Sequence, residues 1–230
     1  MLIESHRHTA KDLDIYKQYI EIDKLTGYSQ VKVKQSVSVI KSWCTQNNAV
    51  AYTSWGKDSV LMLHLIVQAG VSVPVVWVKF NDRYNPDCDN VRDVFLTKFD
   101  IDYHEEIFDY NEVRKGDKHW KIVAKKYTKY RMTGIRNDES NVRMLQYFVN
   151  GHSSQHSCRP IALWRSHEVF AYIEQNDLPL CSVYGYLGGG RWSRDRIRTH
   201  SIGGTTANGI GRTEWEKEYY PDILRRTGQI

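Results

Sequence analysis

A short polar loop, TSWGKDS at 53–59, carries the residues best suited to chemistry in this chain. It lies between a strand-like run and an apolar segment with helical periodicity. At a helix start, free backbone N–H groups and the positive end of the helix dipole point outward and attract anions. Ser54 and Ser59 add hydroxyl groups, Gly56 allows close backbone approach, and Lys57 adds a point charge suited to phosphate. The loop is therefore predicted to hold an anion, most simply a phosphate chain.

The loop differs from a Walker A loop, which requires G-x-x-x-x-G-K-[ST]. Here Lys57 is followed by Asp58, and the upstream glycine position holds Ala51. Taken alone, the pattern is also compatible with a plain strand-to-helix turn that begins on a capping serine.

Strand and helix patterns alternate around this loop. Short apolar runs predict five strands, namely AVAYT (49–53), VPVVWVKF (73–80), IDYHEEIF (101–108), KYRMTGI (129–135) and RPIALW (159–164). Amphipathic or charged segments predict helices over about 11–30, 33–46, 58–69, 91–99, 110–130 and 166–175, the last with Ser166 as N-cap. The alternation predicts an α/β fold with an open, parallel five-stranded sheet flanked by helices. Ligands bind such sheets at the carboxyl ends of strands, which is where the loop lies.

Length and composition fit one soluble α/β domain with an added segment. The 230 residues are 41% hydrophobic and 26% charged, and the net charge of +5 permits an anionic partner without requiring one. We expect a nucleotide-binding domain over 1–184, with N-terminal helices in 1–45, and a loop-rich tail or lid over 185–230. The absence of an apolar leader or a long apolar run predicts a cytoplasmic protein without a membrane partner.

The tail is rich in glycine and arginine. Four arginines, Arg191, Arg194, Arg196 and Arg198, are predicted to form an electropositive lid over phosphate or sulfate, or to contact nucleic acid phosphates. A solvated loop is the alternative interpretation.

Three segments resemble one protein family. SWGKDS resembles the S-G-G-x-D-S signature of the PP-loop ATP pyrophosphatase (adenine nucleotide alpha hydrolase-like) superfamily. GIRNDESNVR (134–143) and the segment from RPIALW to GYLGGG (159–190) resemble two further motifs of its phosphoadenosine phosphosulfate (PAPS) reductase-like branch. Their order and spacing agree over about residues 45 to 190.

The resemblance implies a site for ATP or a related adenine nucleotide such as PAPS. The implied nucleotide-binding residues are Thr53, Ser54, Trp55, Gly56, Lys57, Asp58, Ser59, Phe80, Asn81, Gly134 and Arg136. Lys57, Asp58 and Arg136 would be catalytic, and Asp58 would hold Mg²⁺ or cap the loop. Glu139 and Arg143 fit a simple i, i+4 pair on the next helix.

Two features depart from the family pattern. Trp55 stands where the signature has glycine, so a positive φ there would reshape the loop or turn the indole toward the ligand. The C-terminal segment that carries the nucleophilic cysteine of true reductases is missing, because the last cysteine is Cys181. Cys158, beside Arg159, is the only substitute thiol.

Three functions follow from these patterns. An adenylating enzyme would bind ATP and transfer AMP to an acceptor with release of pyrophosphate, for example in sulfur transfer or nucleic acid modification. The alternatives are a reductase of PAPS or adenosine phosphosulfate, and a nucleotide-binding regulator without catalysis. The acceptor, and a homo-oligomer or protein partner, stay open.

Overall fold

A six-stranded sheet lies at the centre of the fold in the computed structural model, which describes residues 1–81, 83–113, 118–199, 201–203 and 213–230. The strands are β1 Ala49–Thr53, β2 Val75–Phe80, β3 Tyr103–Phe108, β4 Tyr130–Met132, β5 Ser153–Ser154 and β6 Ser157–Cys158. Their order is β3-β2-β1-β4-β6-β5, and every neighbouring pair is parallel except β5 with β6. The α/β class and parallel sheet are confirmed.

The predicted count of five strands is wrong, and so is the strand at RPIALW. Pro160 has no N–H to donate, and the N–H groups of Ala162 and Trp164 donate within the segment to Arg159 and Ile161 at 3.1 and 3.0 Å. Because these N–H groups bond within the segment, they are not available for a β-ladder with a neighbouring strand. The place beside β4 is taken instead by β6, which pairs with β5 in a short hairpin.

Ten helices are found in the described ranges. They are α1 Ala10–Thr26, α2 Gln30–Gln46, α3 Lys57–Ala69, α4 Asp87–Lys98, α5 Tyr110–Val113, α6 Lys118–Lys126, α7 Asn141–Asn150, α8 Ser166–Gln175, α9 Thr213–Tyr219 and α10 Pro221–Arg226. Two helices, α5 and α6, lie within the helical segment predicted over 110–130, and residues 114–117 between them are outside the described residues. Arg165 rather than Ser166 is the N-cap of α8, because Glu168 accepts the Arg165 N–H at 2.9 Å.

β1 is an interior strand of the sheet, and other elements cover both of its faces. Val50 and Ala51 are fully buried on opposite faces, and the apolar side chains of α3 pack into the main core. Along the chain, β2 and β3 are added on one side of β1, and the strand order then reverses because β4 is added on the other side. This reversal opens a crevice at the carboxyl ends of β1 and β4.

The segment after residue 185 contributes to the same core as β1 and α3. Tyr186, Trp215 and Tyr220 are buried in it. The Tyr220 hydroxyl donates to Asp87 at 2.6 Å, and the Tyr219 hydroxyl donates to Asp12 of α1 at 2.8 Å. The first bond ties the end of the chain to α4, and the second ties it to α1. No helix in the described part of the chain is long and apolar enough to cross a membrane.

Candidate functional site

An open cavity of about 590 Å³ lies at the carboxyl ends of β1 and β4. Its floor is the end of β1 and the loop into α3, and one wall is the chain after β4. Arg198 and Thr199 of the C-terminal segment form the facing wall. Three separate parts of the chain therefore meet at the position expected for a ligand in this topology.

The loop presents backbone donors to this cavity. The N–H of Ser54 donates to Ser59 Oγ at 3.3 Å, and the N–H of Lys57 donates to Tyr184 Oη at 3.1 Å. Within the described residues, no hydrogen bond engages the backbone N–H groups of Gly56, Asp58 and Ser59. These donors lie at the positive end of the α3 dipole, so the loop can bind an anion.

Lys57, Asp58 and Arg136, the three predicted catalytic residues, form a buried ionic cluster that we call the clamp. Lys57 Nζ lies 2.7 Å from one carboxylate oxygen of Asp58, and Arg136 Nε lies 2.6 Å from the other. The side chains of Lys57 and Arg136 are 2% and 3% exposed. Burial opposes ionisation of Asp58, yet the two cations hold the pKa of its carboxyl below the ordinary value. The clamp ties α3 to the chain after β4.

The cations that line the cavity belong to a different cluster, which we call the rim. Glu139 is at its centre, with a side chain that is only 5% exposed, and it pairs with both Arg143 and Arg198. These two arginines are 37% and 31% exposed and line the cavity. A partly exposed guanidinium pair facing a helix N-terminus is suited to bind phosphate oxygens.

The two predicted site glycines allow elements to pack closely around the loop. A Cβ at Gly134 would lie 2.8 Å from the carbonyl oxygen of Asp58 and 3.0 Å from the N of Ser59. A Cβ at Gly56 would lie 2.5 Å from Thr199 Oγ1. Each glycine lines the cavity and also lets a neighbouring segment approach the loop backbone.

Trp55 has the positive φ that its glycine-like position predicts, at 56°. Its indole is fully buried and packs against Phe95 and Tyr103, with ring centroids 5.7 and 5.4 Å away. The side chain therefore points away from the ligand cavity, and the predicted stacking on a nucleotide does not occur here. The burial of this large ring offsets the cost of a left-handed backbone at a non-glycine residue.

A smaller cavity of about 190 Å³ adjoins the first and shares five lining residues with it, namely Tyr52, Thr53, Ser54, Trp120 and Thr199. The rings of Phe80 and Tyr84 line it. Phe80 therefore lies beside the main cavity, and its contact with a nucleotide stays a prediction. Its neighbour Asn81 is exposed at the end of β2, and is absent from the lining of both cavities among the described residues.

The four tail arginines have different environments. Arg191 is exposed and pairs with Glu218, whereas Arg194 is buried and binds Asp23 of α1 through two nitrogens. Arg198 lines the cavity, and the side chain of Arg196 lies outside the described part of the structure. Of the three tail arginines whose side chains are described, Arg198 is the one that lies at the cavity. We call residues 194–199 the strap, because Arg194 anchors it and Thr199 lies over the loop.

No cysteine is part of either cavity lining, although the structure describes all four. Cys158 is fully buried, and burial raises the pKa of its thiol to about 12. A thiol with this pKa is almost entirely protonated at neutral pH and is a poor nucleophile. Cys158 therefore does not replace the cysteine of the true reductases.

A magnesium ion does not fit Asp58 in this arrangement. Both carboxylate oxygens are bound by cations of the clamp, and the described residues contain no cluster of three metal-ligating side chains. The expected magnesium ligand is therefore part of an ion pair, and no step is assigned to a resident metal.

Sequence reasoning missed several cavity residues. They are Tyr52, Trp120, Thr133, Ser140, Tyr184 and Thr199. Tyr52 and Thr133 lie at the ends of β1 and β4, so the rule that ligands bind at strand ends could have found them. Tyr184 and Thr199 reach the loop through tertiary contacts that no local pattern reveals.

Comparison with known proteins identifies a family for the chain. A family model described as phosphoadenosine phosphosulfate reductase domain matches residues 48–208. A phosphoadenosine 5′-phosphosulfate reductase of a Synechococcus species is 22% identical over 203 residues, which cover 76% of this chain and 88% of that protein.

Two solved structures have a similar fold. FMN adenylyltransferase of Candida glabrata, in complex with FMN and the ATP analogue AMPCPP, has a TM-score of 0.50 at 14% identity over 76% of this chain and 68% of that chain. NMN synthetase of Francisella tularensis has a TM-score of 0.51 at 12% identity over 87% and 93% of the two chains. At these identities the likeness supports the fold alone.

Proposed function

The chain belongs to the phosphoadenosine phosphosulfate reductase domain family of PP-loop enzymes, and from this premise we propose that it binds ATP or a related adenine nucleotide and adenylates an acceptor with release of pyrophosphate. The observation that carries the proposal is that one cavity is lined both by the loop, with three N–H groups that have no hydrogen-bond partner among the described residues, and by the two arginines of the rim. No thiol suited to reduction faces that cavity.

The phosphate chain would lie between the loop and the rim. The N–H groups of Gly56, Asp58 and Ser59 would bind the β- and γ-phosphates, and Arg143 and Arg198 would bind oxygens from the opposite side. The adjoining cavity with Phe80 and Tyr84 would accept the adenine ring by stacking. In this arrangement the α-phosphate lies between the two cavities.

The proposed reaction forms one bond and breaks one. A nucleophilic oxygen, nitrogen or sulfur of the acceptor attacks the α-phosphorus, the bond to the bridging oxygen breaks, and pyrophosphate leaves with the electron pair. Charge grows on the phosphate oxygens, where Arg143, Arg198 and the loop donors stabilise it. Magnesium bound to ATP would enter with the substrate. We assign positioning roles to Lys57, Asp58 and Arg136, in place of the direct contacts expected from the sequence.

A second candidate is reduction of a sulfonucleotide, and the family membership favours it. The similar proteins named in the comparison are PAPS reductases, and a sulfated nucleotide would occupy the same loop and rim. Such a reaction requires a thiol to attack sulfur, and the buried, protonated Cys158 does not provide one. The reductase proposal therefore needs an external thiol as co-reactant.

Calorimetry with ATP and Mg²⁺, PAPS, adenosine phosphosulfate and GTP tests the binding step. We expect ATP to bind, GTP to bind much more weakly and the sulfated nucleotides to bind no better than ATP. Pyrophosphate formation from ATP, measured with and without candidate acceptors, tests the chemistry.

The results separate three functions. Preference for PAPS together with sulfite release in the presence of dithiol would replace the adenylation proposal by the reductase. Tight ATP binding without pyrophosphate for any acceptor would favour a regulator. Binding of none of the nucleotides would contradict the assignment of the cavity itself.

A further inference from the structure

The excess positive charge of the chain is concentrated in one segment. Residues 118–131, with the sequence KHWKIVAKKYTKYR, contain six of the 32 lysines and arginines and none of the 27 acidic residues. The whole chain carries a net charge of +5, so all other residues together are almost neutral. The segment comprises α6, the turn that follows it and the first two residues of β4. An acid-free run of this kind creates a local positive field that attracts polyanions.

Four of the six cations are exposed and form no ion pair with any described residue, namely Lys121, Lys125, Lys129 and Arg131. Lys126 pairs with Glu106 at 2.6 Å, and its side chain is still 58% exposed. Lys121 and Lys125 are one helical turn apart, on the side of α6 opposite the buried Val123. Their charge is therefore directed to solvent.

The cationic segment borders the cavity of the candidate site. Arg131 is paired in register with Val50 of β1, so both side chains project from the same face of the sheet. Val50 packs with Val123 of α6 on that face. Tyr52, two residues after Val50, projects from it as well and lines the cavity. An anion bound along the segment would thus lie beside the proposed nucleotide.

Trp120 connects the segment with the site. Its indole is 38% exposed, although tryptophan is on average a highly buried residue, and it lines both cavities. Tyr52 contacts it with ring centroids 5.1 Å apart and nearly perpendicular planes. In the arrangement proposed above, the α-phosphate lies between these two cavities. A planar group stacked on Trp120 would therefore lie close to the reacting phosphorus.

We propose that the basic face, defined as Lys121, Lys125, Lys129 and Arg131 together with Trp120, binds a single-stranded nucleic acid. Phosphates of the strand contact the cations, and one base stacks on the indole. A base inside a duplex is stacked between its neighbours and does not reach the indole, which selects a single strand. The inference rests on the proposed function in one respect, because it makes the nucleic acid the acceptor.

Two other anionic partners fit the basic face less well. A membrane surface requires a continuous apolar side, but the exposed Trp120 and Ile122 of α6 are about 160° apart around the helix, on opposite sides of the lysine row. An acidic peptide would pair with the lysines and leave the exposed indole without a role. A nucleic acid strand uses both the charge and the ring.

Fluorescence anisotropy with a labelled single-stranded oligothymidylate tests the basic face in the absence of ATP. We expect the double variant Lys121→Ala, Lys125→Ala to lose roughly tenfold or more in affinity at low salt. The slope of log K against log salt concentration should fall by about 1.4, since each phosphate contact of a single strand contributes about 0.7.

The matched control is Lys34→Ala, Lys41→Ala, which removes two exposed lysines of α2. Because α2 packs on the other face of the sheet, the control removes the same charge at a distance from the basic face. It should leave the affinity and the salt slope nearly unchanged. Absence of oligothymidylate binding by the wild type, or an equal loss in the control, would overturn the inference.

Two Trp120 variants test the stacking. Affinity for the oligothymidylate should fall about 5- to 100-fold in Trp120→Ala, whereas Trp120→Phe should retain most of it because a ring remains. Circular dichroism checks that all variants stay folded. A duplex of the same length that binds as tightly as the single strand would contradict the proposal. Binding of phosphatidylserine vesicles in place of the oligothymidylate would assign the face to a membrane instead.

Calorimetry with ATP and Mg²⁺ separates this inference from the proposed function. The Lys121, Lys125 double variant should bind ATP like the wild type, because neither lysine lines a cavity. Oligothymidylate binding by a chain that binds no ATP would contradict the proposed function and leave the basic face in place. Pyrophosphate release from ATP that no single-stranded RNA or DNA of mixed sequence stimulates would overturn the assignment of the acceptor.

Discussion

The clamp and the rim are both clusters of two cations around carboxylates, yet they differ in where their charge is available. In the clamp, Lys57 and Arg136 are almost completely buried and both oxygens of Asp58 are occupied. In the rim, Arg143 and Arg198 each keep about a third of the side chain exposed, and both line the cavity. The cations Lys57 and Arg136 of the two sequence motifs are thus held in the clamp, while the cations that line the cavity are Arg143 and Arg198.

The largest expected effect is a loss of protein stability when the clamp is broken. Asp58→Ala takes the carboxylate from buried Lys57 and removes one of the carboxylates that pair with buried Arg136, so we expect the free energy of unfolding to fall by about 3–5 kcal/mol. Asp138→Ala also removes an acidic partner of Arg136. Because the Asp138 side chain is 37% exposed, its loss should cost at most about 1 kcal/mol. Urea denaturation of both variants measures the difference. Equal losses would show that the two carboxylates play the same role.

Substitutions in the rim should lower nucleotide affinity rather than the free energy of unfolding. Arg143→Ala or Arg198→Ala removes a charge-assisted hydrogen bond to phosphate, so nucleotide affinity should fall about 10- to 100-fold. Arg191→Ala is the control, since this arginine pairs with Glu218 outside the cavity. Calorimetry with ATP and Mg²⁺ measures all three. Unchanged affinity in both rim variants would place the phosphates elsewhere.

The pH dependence of stability isolates the charge of Asp58. Its pKa is lowered from 3.8 in the folded protein, so its contribution is complete above that value and is lost as the pH falls through the lower folded pKa. The stability difference between wild type and Asp58→Asn should therefore be constant near neutral pH and shrink below pH 3.8. A difference that shrinks between pH 7 and 5 would contradict an ionised clamp.

The smallest expected effect is at Cys158, which belongs to neither cluster. Cys158→Ala should leave nucleotide affinity and pyrophosphate release unchanged, and the native thiol should react slowly with iodoacetamide at pH 8 because its pKa is about 12. Mass spectrometry follows the alkylation. Rapid modification of Cys158, or loss of turnover in the variant, would reopen its role as a nucleophile.

The fold was predictable where local pattern and tertiary environment agree. The bounds of β1 follow from its short apolar run, and the loop follows from the polar residues between that run and α3. The edge of the sheet was not predictable, because β5 and β6 have two residues each and are polar, while the apolar RPIALW segment forms turns around Pro160.

The site was predictable in position but not in the orientation of its side chains. The signature places Lys57 beside the anion site, but its four-carbon side chain turns into the core, where it packs near Phe170 and Tyr184. Arg143 fits a surface i, i+4 pair by spacing alone, and only the path of the strap shows that the pair faces a cavity. Contacts between distant segments decide such cases, and sequence periodicity does not encode them.

The anchoring of the strap has a consequence for how the protein folds. Arg194 binds Asp23 across 171 positions of sequence, and Thr199 meets Ser54 across 145. Contacts of such separation close large loops and form late. During synthesis, the central strands and α3 can assemble before the strap emerges from the ribosome. The capacity to bind nucleotide should therefore appear as a final event, well after most of the secondary structure has formed.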